Sequence, residues 1–222
     1  MKPDKEYIGR SRIRMFNVDC MEYMNYYNGN AKVDLAIVDP PYGIDLANMN
    51  MGLGKSKKAS KKENRDWIAK DWDNKAPDKY YFKDLFDVSK NQIIWGGNYF
   101  NLPPCYGYVI WDKERPEGLS FSDCEMAWYS FKKVPSIFRY SAYLDKKNKF
   151  HPTQKPVQLY KWLLTNYAKE GDTIFDSHGG SMSIAIACWD LGFDLDICEL
   201  DTDYFNDAVK RFENHISQTQ LF

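Results

Sequence analysis

Short apolar runs that end at glycine, proline or an acidic residue alternate along this chain with longer segments of helical pattern. The runs cover residues 33–38, 91–95, 107–111, 123–131, 173–175 and 193–197. Helical patterns cover 184–188 and 204–215. This alternation is typical of βα units, and it predicts an α/β fold with a mostly parallel sheet and helices on both faces.

The length of 222 residues suits one domain with a full hydrophobic core, so we predict a single domain over 1–222. Residues 43–80 are Met/Asn/Gly-rich and then Lys-rich, and we interpret them as a long surface insertion. No apolar run approaches the roughly 20 residues that span a membrane. The first residues have no signal-peptide pattern, so we expect a cytoplasmic protein without membrane contact.

Cysteine and histidine are scattered along the chain. Neither forms the spacing of a metal site, and there is no Cys-x-x-Cys pair. We therefore expect no metal and no disulfide, with the cysteines acting as small apolar side chains in a reduced compartment. These residues are Cys20, Cys105, Cys124, Cys188, Cys198, His151, His178 and His215.

The net charge of −1 conceals two basic segments, one at 55–70 and one at 132–149. Without them the remaining chain carries about −11. Clustered cations can neutralise phosphates of a nucleic acid, although an isolated cluster is more often a solvated loop. The candidate nucleic-acid contacts are Lys55, Lys57, Lys58, Lys61, Lys62, Arg65, Lys132, Lys133 and Arg139.

The segment Asp39-Pro40-Pro41-Tyr42 follows the buried run 33–38 directly. Open α/β sheets bind their ligands at this end of a strand. The two prolines hold the backbone extended and remove two amide donors, so that carbonyl groups and the Asp39 carboxylate remain as acceptors. The same tetrapeptide could also be an ordinary turn that ends a strand.

Two acceptors side by side suit one reaction in particular, methylation of an exocyclic amine. Such an amine is a poor nucleophile because its lone pair is delocalised into the ring. Asp39 and the Pro40 carbonyl could hold its hydrogens and direct the lone pair at a methyl donor, which is catalysis by positioning and electrostatics. Tyr42 offers a face on which an extruded base could stack.

A second candidate site is the Gly/Ser turn at 176–181, which follows the apolar run 173–175 and precedes a helix. Glycines at such a turn let a ligand approach the backbone. Glu199 ends the next strand, 23 residues after Asp176, where a carboxylate can bind both hydroxyls of a ribose. The turn does not match the dinucleotide fingerprint, so an oxidoreductase is a weaker interpretation.

These motifs resemble those of the β-class amino-methyltransferases of DNA, and most closely the small phage- and prophage-type members. The likeness runs through Asn17–Cys20, Asp39–Tyr42, Ile94–Tyr99, Trp111–Lys113, His151–Pro156, Asp176–Ser183 and Glu199–Asp201. In that class the Asp-Pro-Pro-Tyr motif precedes the cofactor motif, a circularly permuted order. The resemblance implies a Rossmann-like methyltransferase fold and methyl transfer from S-adenosylmethionine to the N6 amine of adenine in DNA.

The resemblance also implies roles for particular residues. The turn containing Asp176, Gly180 and Ser181 would hold the methionine part of the cofactor. Glu199 would bind its ribose, and Leu200 would be a further cofactor contact. Its adenine would lie near Asp19 and Cys20, and its carboxylate near Thr153, Gln154 and Lys155, although His151–Pro156 also suits a turn that caps a helix.

The chain departs from the family pattern within the turn. Ser177 and His178 replace a Pro-Phe pair, and Met182 replaces a glycine. We expect His178 to cover the cofactor in place of the aromatic ring, while a catalytic proton role is the alternative. The bulk of Met182 either tightens the pocket or weakens cofactor binding.

Three functions stay open on sequence grounds. Methylation of cytosine N4 or of RNA adenine uses the same two acceptors, although Asp at position 39 favours DNA adenine by resemblance. A non-catalytic nucleic-acid-binding subunit is the third. With only about 20 residues between Phe131 and His151, base recognition falls on 132–150, on the insertion or on a second subunit. We expect a homodimer, as in many relatives.

The segment Gln218–Phe222 resembles the short peptide by which bacterial replication proteins bind the sliding clamp. A polar stretch before Leu-Phe suits binding of a peptide in a groove. The alternative, which we favour, is a terminal helix that buries the two apolar side chains on its own domain.

Overall fold

The computed structural model describes residues 1–29, 31–44, 75–115, 122–141, 151 and 153–219. Most of the predicted insertion lies outside these ranges, including all six of its candidate nucleic-acid contacts. These are Lys55, Lys57, Lys58, Lys61, Lys62 and Arg65. The last three residues of the clamp-like peptide also lie outside the described part.

The described residues form nine strands and five helices. The strands are β1 (Lys5–Ile8), β2 (Arg12–Phe16), β3 (Val33–Val38), β4 (Ser89–Trp95), β5 (Tyr108–Asp112), β6 (Cys124–Tyr129), β7 (Ser136–Arg139), β8 (Thr173–Asp176) and β9 (Asp194–Cys198). The helices are α1 (Cys20–Tyr27), α2 (Lys79–Val88), α3 (Val157–Tyr167), α4 (Ser183–Leu191) and α5 (Thr202–Thr219).

All nine of these strands belong to one sheet, in the order β1-β2-β9-β8-β3-β4-β6-β5-β7. Strands β2, β9, β8, β3 and β4 are parallel to their neighbours in this run. Strand β6 is antiparallel to both β4 and β5, and β1 is antiparallel to β2. The predicted α/β fold is confirmed, and its sheet is mixed at the edges.

Alternate residues of the central strands enter two separate hydrophobic clusters. In β3, Leu35 and Ile37 pack into the cluster that contains α3, α4 and α5. Ala36 and Val38 pack into the cluster that contains α1 and α2. Each fully buried leucine or isoleucine stabilises the fold by roughly 1.5–3 kcal/mol. Helices therefore cover both faces, as the apolar runs predict.

Two boundaries of the sequence interpretation were wrong. Helix α2 begins at Lys79, because Asp78 caps it by accepting hydrogen bonds from the amides of Tyr80 and Tyr81 at 2.8 and 3.2 Å, so the predicted insertion extends too far. The predicted run 123–131 is not the last strand before His151, because β7 follows it and pairs in parallel with β5. Part of the predicted recognition segment is therefore an edge strand.

Three general features accompany this architecture. No helix among the described residues combines the length and apolar character needed to cross a membrane. All five cysteines carry free thiols. Within the same residues, no cluster of His, Cys, Asp and Glu side chains has an arrangement that could hold a metal ion.

Candidate active site

The carboxyl ends of β2, β3, β8 and β9 lie at one edge of the sheet, because these strands are parallel. Asp39 follows β3, Asp176 ends β8 and Glu199 follows β9. Residues 17–19 lead from β2 into α1 at the same edge. The parallel register thus assembles four polar segments that are distant in sequence.

A cavity of about 660 Å³ opens between these segments. Its wall contains Asp39 and the Gly/Ser turn, so the two sequence motifs share one cleft. The predicted site residues in the wall are Asp19, Cys20, Asp39, Pro41, Thr153, Gln154, Lys155, His178, Gly180, Ser181, Glu199 and Leu200. Pro40, Tyr42 and Asp176 lie outside the wall, and Asp176 is only 1% exposed.

Both oxygens of the Asp39 carboxylate accept hydrogen bonds. The Tyr42 hydroxyl donates to Oδ1 at 2.7 Å, and the Lys155 ammonium donates to Oδ2. Burial raises the pKa of Asp39, while Lys155 acts in the opposite direction. The predicted acceptor is therefore partly buried, with its side chain 17% exposed, and it is charge-paired and lines the cavity.

The Tyr42 ring is held between two other features of the site edge. It stacks on Tyr99, with centroids 4.9 Å apart and planes at 15°. On β4's carboxyl side, Gly96 has φ +68°, and a Cβ there would lie 2.2 Å from the Tyr42 ring. A glycine is thus required at 96, and one Tyr42 face is covered by Tyr99 in this state of the protein.

The Gly/Ser turn is fixed by backbone hydrogen bonds and by Glu199. The Gly179 amide donates to the Cys198 carbonyl at 2.7 Å, and the Gly180 amide donates to Glu199 Oε2 at 2.6 Å. Glu199 Oε1 accepts from the Asp201 amide at 2.8 Å. The carboxylate is therefore locked in orientation beside the cavity.

His178 lies in the cavity wall as a neutral imidazole. Burial lowers the pKa of His178 to about 4, so the ring is uncharged at neutral pH. Its Nδ1 lies 2.8 Å from the Ser177 hydroxyl, which in turn lies 2.7 Å from the Tyr81 hydroxyl. This arrangement suits the expected covering role and gives no cation for proton donation.

Met182 has a left-handed backbone conformation, with φ 50° and ψ 37°. The glycine that the family pattern places here adopts that region without strain, whereas an L side chain costs about 1–2 kcal/mol. The Met182 side chain is 1% exposed and belongs to the core with α3, α4 and α5. Apolar packing therefore offsets the backbone strain.

We expect Met182→Gly to be more stable than Met182→Ala by about 1 kcal/mol. Both lose the buried side chain, a loss of about 2–5 kcal/mol for alanine, but only glycine relieves the left-handed strain. Urea unfolding of the two variants measures the difference. An alanine variant more stable than the glycine variant would contradict the strain at this position.

The remaining predicted cofactor contacts lie at the start of α1, in the residues before α3 and after β9. Asp19 caps α1 by accepting from the Met21 amide at 2.8 Å, and burial raises the pKa of Cys20 to about 12. The Thr153 hydroxyl lies 3.2 Å from His151 Nδ1. Gln154 is 5% exposed, and its Oε1 has no hydrogen-bond partner within the described residues. Leu200 is 67% exposed at the rim.

Two residues of the site were assigned no function in the sequence interpretation, Glu125 and Lys113, although Lys113 ends one of the stretches that resemble the family. Glu125 Oε2 lies 3.1 Å from Lys155 Nζ, and Glu125 Oε1 lies 2.6 Å from Lys113 Nζ. The one available signal is an acidic residue inside the otherwise apolar run of β6. The chain of charges Asp39, Lys155, Glu125 and Lys113 emerges only when β5 and β6 pair.

Three cations of the basic segment 132–149 are described, and they lie in β7 or in the residues before it. Lys133 donates to the Asn166 carbonyl at 2.8 Å, and its ammonium lies 4.7 Å from the Tyr167 ring centroid. Arg139 lies 3.5 Å from the Asp112 carboxylate. Lys132 is exposed. Two of these three cations thus already have partners within the protein.

Sequence comparisons identify relatives for much of the chain. A family model described as DNA methylase matches residues 55–210. The chain is also similar to the Type II methyltransferase M.HpaI of Haemophilus parainfluenzae, with 31% identity over 83 residues. That similarity covers 36% of this chain and 26% of M.HpaI, so it spans about a quarter of the relative.

Solved structures resemble this one over nearly its full length. The M1.HpyAVI–SAM complex has a TM-score of 0.59 at 20% identity, covering 90% of this chain and 99% of that chain. PvuII DNA methyltransferase, described as cytosine-N4-specific, has a TM-score of 0.59 at 13% identity, covering 92% and 90%. At these identities the likeness concerns the fold, and it agrees with the fold expected from the sequence.

Proposed function

The chain belongs to the DNA methylase family, and from that membership we propose that it transfers the methyl group of S-adenosylmethionine to the N6 amine of adenine in DNA. One observation carries the proposal. The Asp39 carboxylate and the Gly/Ser turn with Glu199 line the same cavity, so an amine acceptor and a nucleoside pocket adjoin.

Asp39 and the Pro40 carbonyl act on the target amine by accepting its hydrogens. S-adenosylmethionine, when bound, supplies an electrophilic methyl group. The two acceptors favour a pyramidal nitrogen whose lone pair is directed at that methyl group, and burial strengthens both hydrogen bonds. Tyr42 provides an aromatic face for the extruded base once Tyr99 has moved aside.

The cavity wall fits the cofactor in its donors and acceptors. Glu199, held in place by two amides, suits the two ribose hydroxyls. Gln154 Oε1 is a buried acceptor without a partner in the described part of the chain. Such an oxygen suits the ammonium group of the cofactor's methionine part better than its carboxylate, for which the Thr153 hydroxyl is a donor.

We expect Glu199→Gln to weaken S-adenosylmethionine binding about ten- to a hundredfold. The amide keeps one acceptor, loses the charge and points hydrogens at Gly180 or Asp201. Isothermal titration of the cofactor into both proteins measures the change. Glu213→Gln is the matched control, because that carboxylate lies on the exposed side of α5, paired with Tyr7.

A titration in which the native protein fails to bind the cofactor would favour the non-catalytic subunit instead. The presence of Asp39, Tyr42 and Glu199 speaks against that alternative. The titration also separates loss of cofactor binding from loss of methyl transfer. A protein that binds the cofactor but leaves DNA unmodified has lost methyl transfer alone.

The choice of adenine over cytosine N4 or RNA adenine is tested by product analysis. The chain is expressed in a host without DNA methylation, and genomic DNA and RNA are digested to nucleosides for mass spectrometry. N6-methyladenine in DNA is the expected product, confined to one short sequence word. N4-methylcytosine in DNA, or N6-methyladenine in RNA alone, would contradict the proposal.

The partners follow from the same proposal. We infer one methyltransferase domain over 1–222 in a cytoplasmic homodimer, with DNA contacts in 132–150 and in the insertion between residue 43 and the start of α2. DNA-binding proteins generally recognise base edges through a few side chains, which an insertion and an edge segment could supply. The peptide Gln218–Phe222 remains a candidate for the sliding clamp.

A further inference from the structure

Four charged side chains form a row that leads away from the proposed amine acceptor. Lys155 donates to Asp39 Oδ2 and lies 3.1 Å from Glu125 Oε2. Glu125 Oε1 lies 2.6 Å from Lys113 Nζ. The Lys155 side chain is 3% exposed, so its two carboxylate neighbours replace water as partners for the cation.

We propose that Lys155 moves from Asp39 to Glu125 when the target amine binds, which makes Glu125 the positioning residue that frees the acceptor. The inference rests on the proposed methylation of a base amine. It adds a step that frees an acceptor site on Asp39, because each of its oxygens already accepts one hydrogen bond in the protein alone.

Glu125 has the capacity to receive the cation. Its Oε2 is buried and accepts no well-aligned hydrogen bond from any described residue, although Lys155 Nζ lies within ion-pair distance. A small rotation of the lysine side chain would complete that bond.

The surroundings confine the movement to the end of the lysine side chain. The Ser183 hydroxyl donates to the Lys155 carbonyl at 2.7 Å, and Arg211 donates to the Ser183 hydroxyl at 2.9 Å. Lys113 holds the far side of Glu125. Burial would raise the pKa of Glu125, but Lys155 and Lys113 lower it to about 2, so it stays charged.

The chemistry of the amine gives the reason for the exchange. As the nitrogen bonds to the methyl carbon, the electron pair of the broken sulfur–carbon bond stays on sulfur and the nitrogen gains positive charge. The nitrogen then loses one proton, which the freed Asp39 oxygen accepts, and the product is the neutral N-methylated amine. A lysine ammonium that remained on Asp39 would compete with the amine and repel its developing charge.

The test is Glu125→Gln in the full chain, with genomic DNA from an unmethylated host as substrate. The variant lacks the second carboxylate, so Lys155 stays on Asp39. We expect kcat/KM for DNA to fall about ten- to a hundredfold, with the dissociation constant of S-adenosylmethionine within about twofold of native. Asp87→Asn is the matched control, since Asp87 pairs with Lys83 on the exposed side of α2.

A double-variant cycle separates positioning from a merely structural role. In a Lys155→Met background there is no cation to exchange, so Glu125→Gln should have little further effect on kcat/KM. Independent, additive losses would overturn the inference. If Glu125→Gln does not fold, Glu125→Asp keeps the charge but withdraws the carboxylate from Lys155, and it should give a loss in the same direction with cofactor binding retained.

A crystal structure with S-adenosylhomocysteine and an oligonucleotide that contains the methylated word gives a direct check. Lys155 Nζ should lie within hydrogen-bond distance of Glu125 and apart from Asp39, and a lysine still bound to Asp39 would overturn the inference. Native protein that modifies no DNA would instead refute the proposed function. Native activity together with a fully active Glu125→Gln variant would refute the exchange alone.

Discussion

Asp39→Ala is expected to lower the rate of methyl transfer to DNA about a hundred- to a thousandfold. The carboxylate is one of two acceptors proposed for the target amine, and removal of one such preorganised group typically has an effect of this size. The loss should appear in kcat, because the acceptor acts as charge develops on nitrogen. Single-turnover assays with labelled S-adenosylmethionine measure it.

Asp39→Asn is the matched control for this variant. Asparagine keeps the shape and one acceptor oxygen but removes the charge that pairs with Lys155. We expect intermediate activity, with cofactor affinity close to native in both variants. The free energy of unfolding must be measured as well, because loss of Asp39 leaves Lys155 paired with Glu125 alone. Native turnover by the alanine variant would contradict the acceptor role.

The strands and the cavity could be predicted because the signals for them are local. An apolar run closed by Asp39-Pro40, or by Asp176 before glycines, identifies a buried strand and its end in a few residues. Parallel pairing then brings such ends to one edge. The structure adds that Gly96 is needed for the Tyr42 ring to fit, a contact between two segments 54 residues apart.

Strands β1 and β2 were missed because their sequence gives a weak signal. In β2, Arg12 and Arg14 alternate with buried Ile13, and Phe16 completes five residues. Arginine inside a short strand is explained only by its partner, since Arg14 donates to Asp196 of β9 at 2.6 Å. Sequence patterns carry no information on which strands become neighbours.

The function of Glu125 could not be predicted for the same reason, since it depends on which strands are neighbours. Its role depends on Lys155 and Lys113, which approach it from a loop before α3 and from the end of β5. In sequence, a lone glutamate within an apolar run indicates an edge strand or a turn. The charge row needs the antiparallel pairing of β6 with β5, which places Trp111 opposite Glu125.

Asp176 predicts a pH dependence of folding stability. Its carboxyl is 1% exposed, and burial raises its pKa from 3.8 to about 8, with the His178 amide acting in the opposite direction. Asp39 and Glu199 raise it further. The folded protein therefore keeps a proton that the unfolded chain releases near pH 4. The contribution of Asp176 is present below pH 4 and is lost as the pH rises to about 8.

Asp176→Asn should remove this dependence. The amide has the same shape, keeps an acceptor for the His178 amide and does not ionise. Near pH 4 the two proteins should have similar free energies of unfolding, whereas above pH 8 the variant should be more stable, by on the order of 5 kcal/mol at most. Urea unfolding at intervals from pH 4 to 9 measures both.

The difference between the two curves isolates Asp176 from His178, which titrates in the same range with the opposite sign. Burial lowers the pKa of His178 to about 4, so its contribution to stability is lost as the pH falls below about 6.5 in both proteins. Subtraction cancels it. A difference that stays constant from pH 4 to 9 would mean that Asp176 is ionised throughout, and that a buried negative charge lies behind the cavity wall.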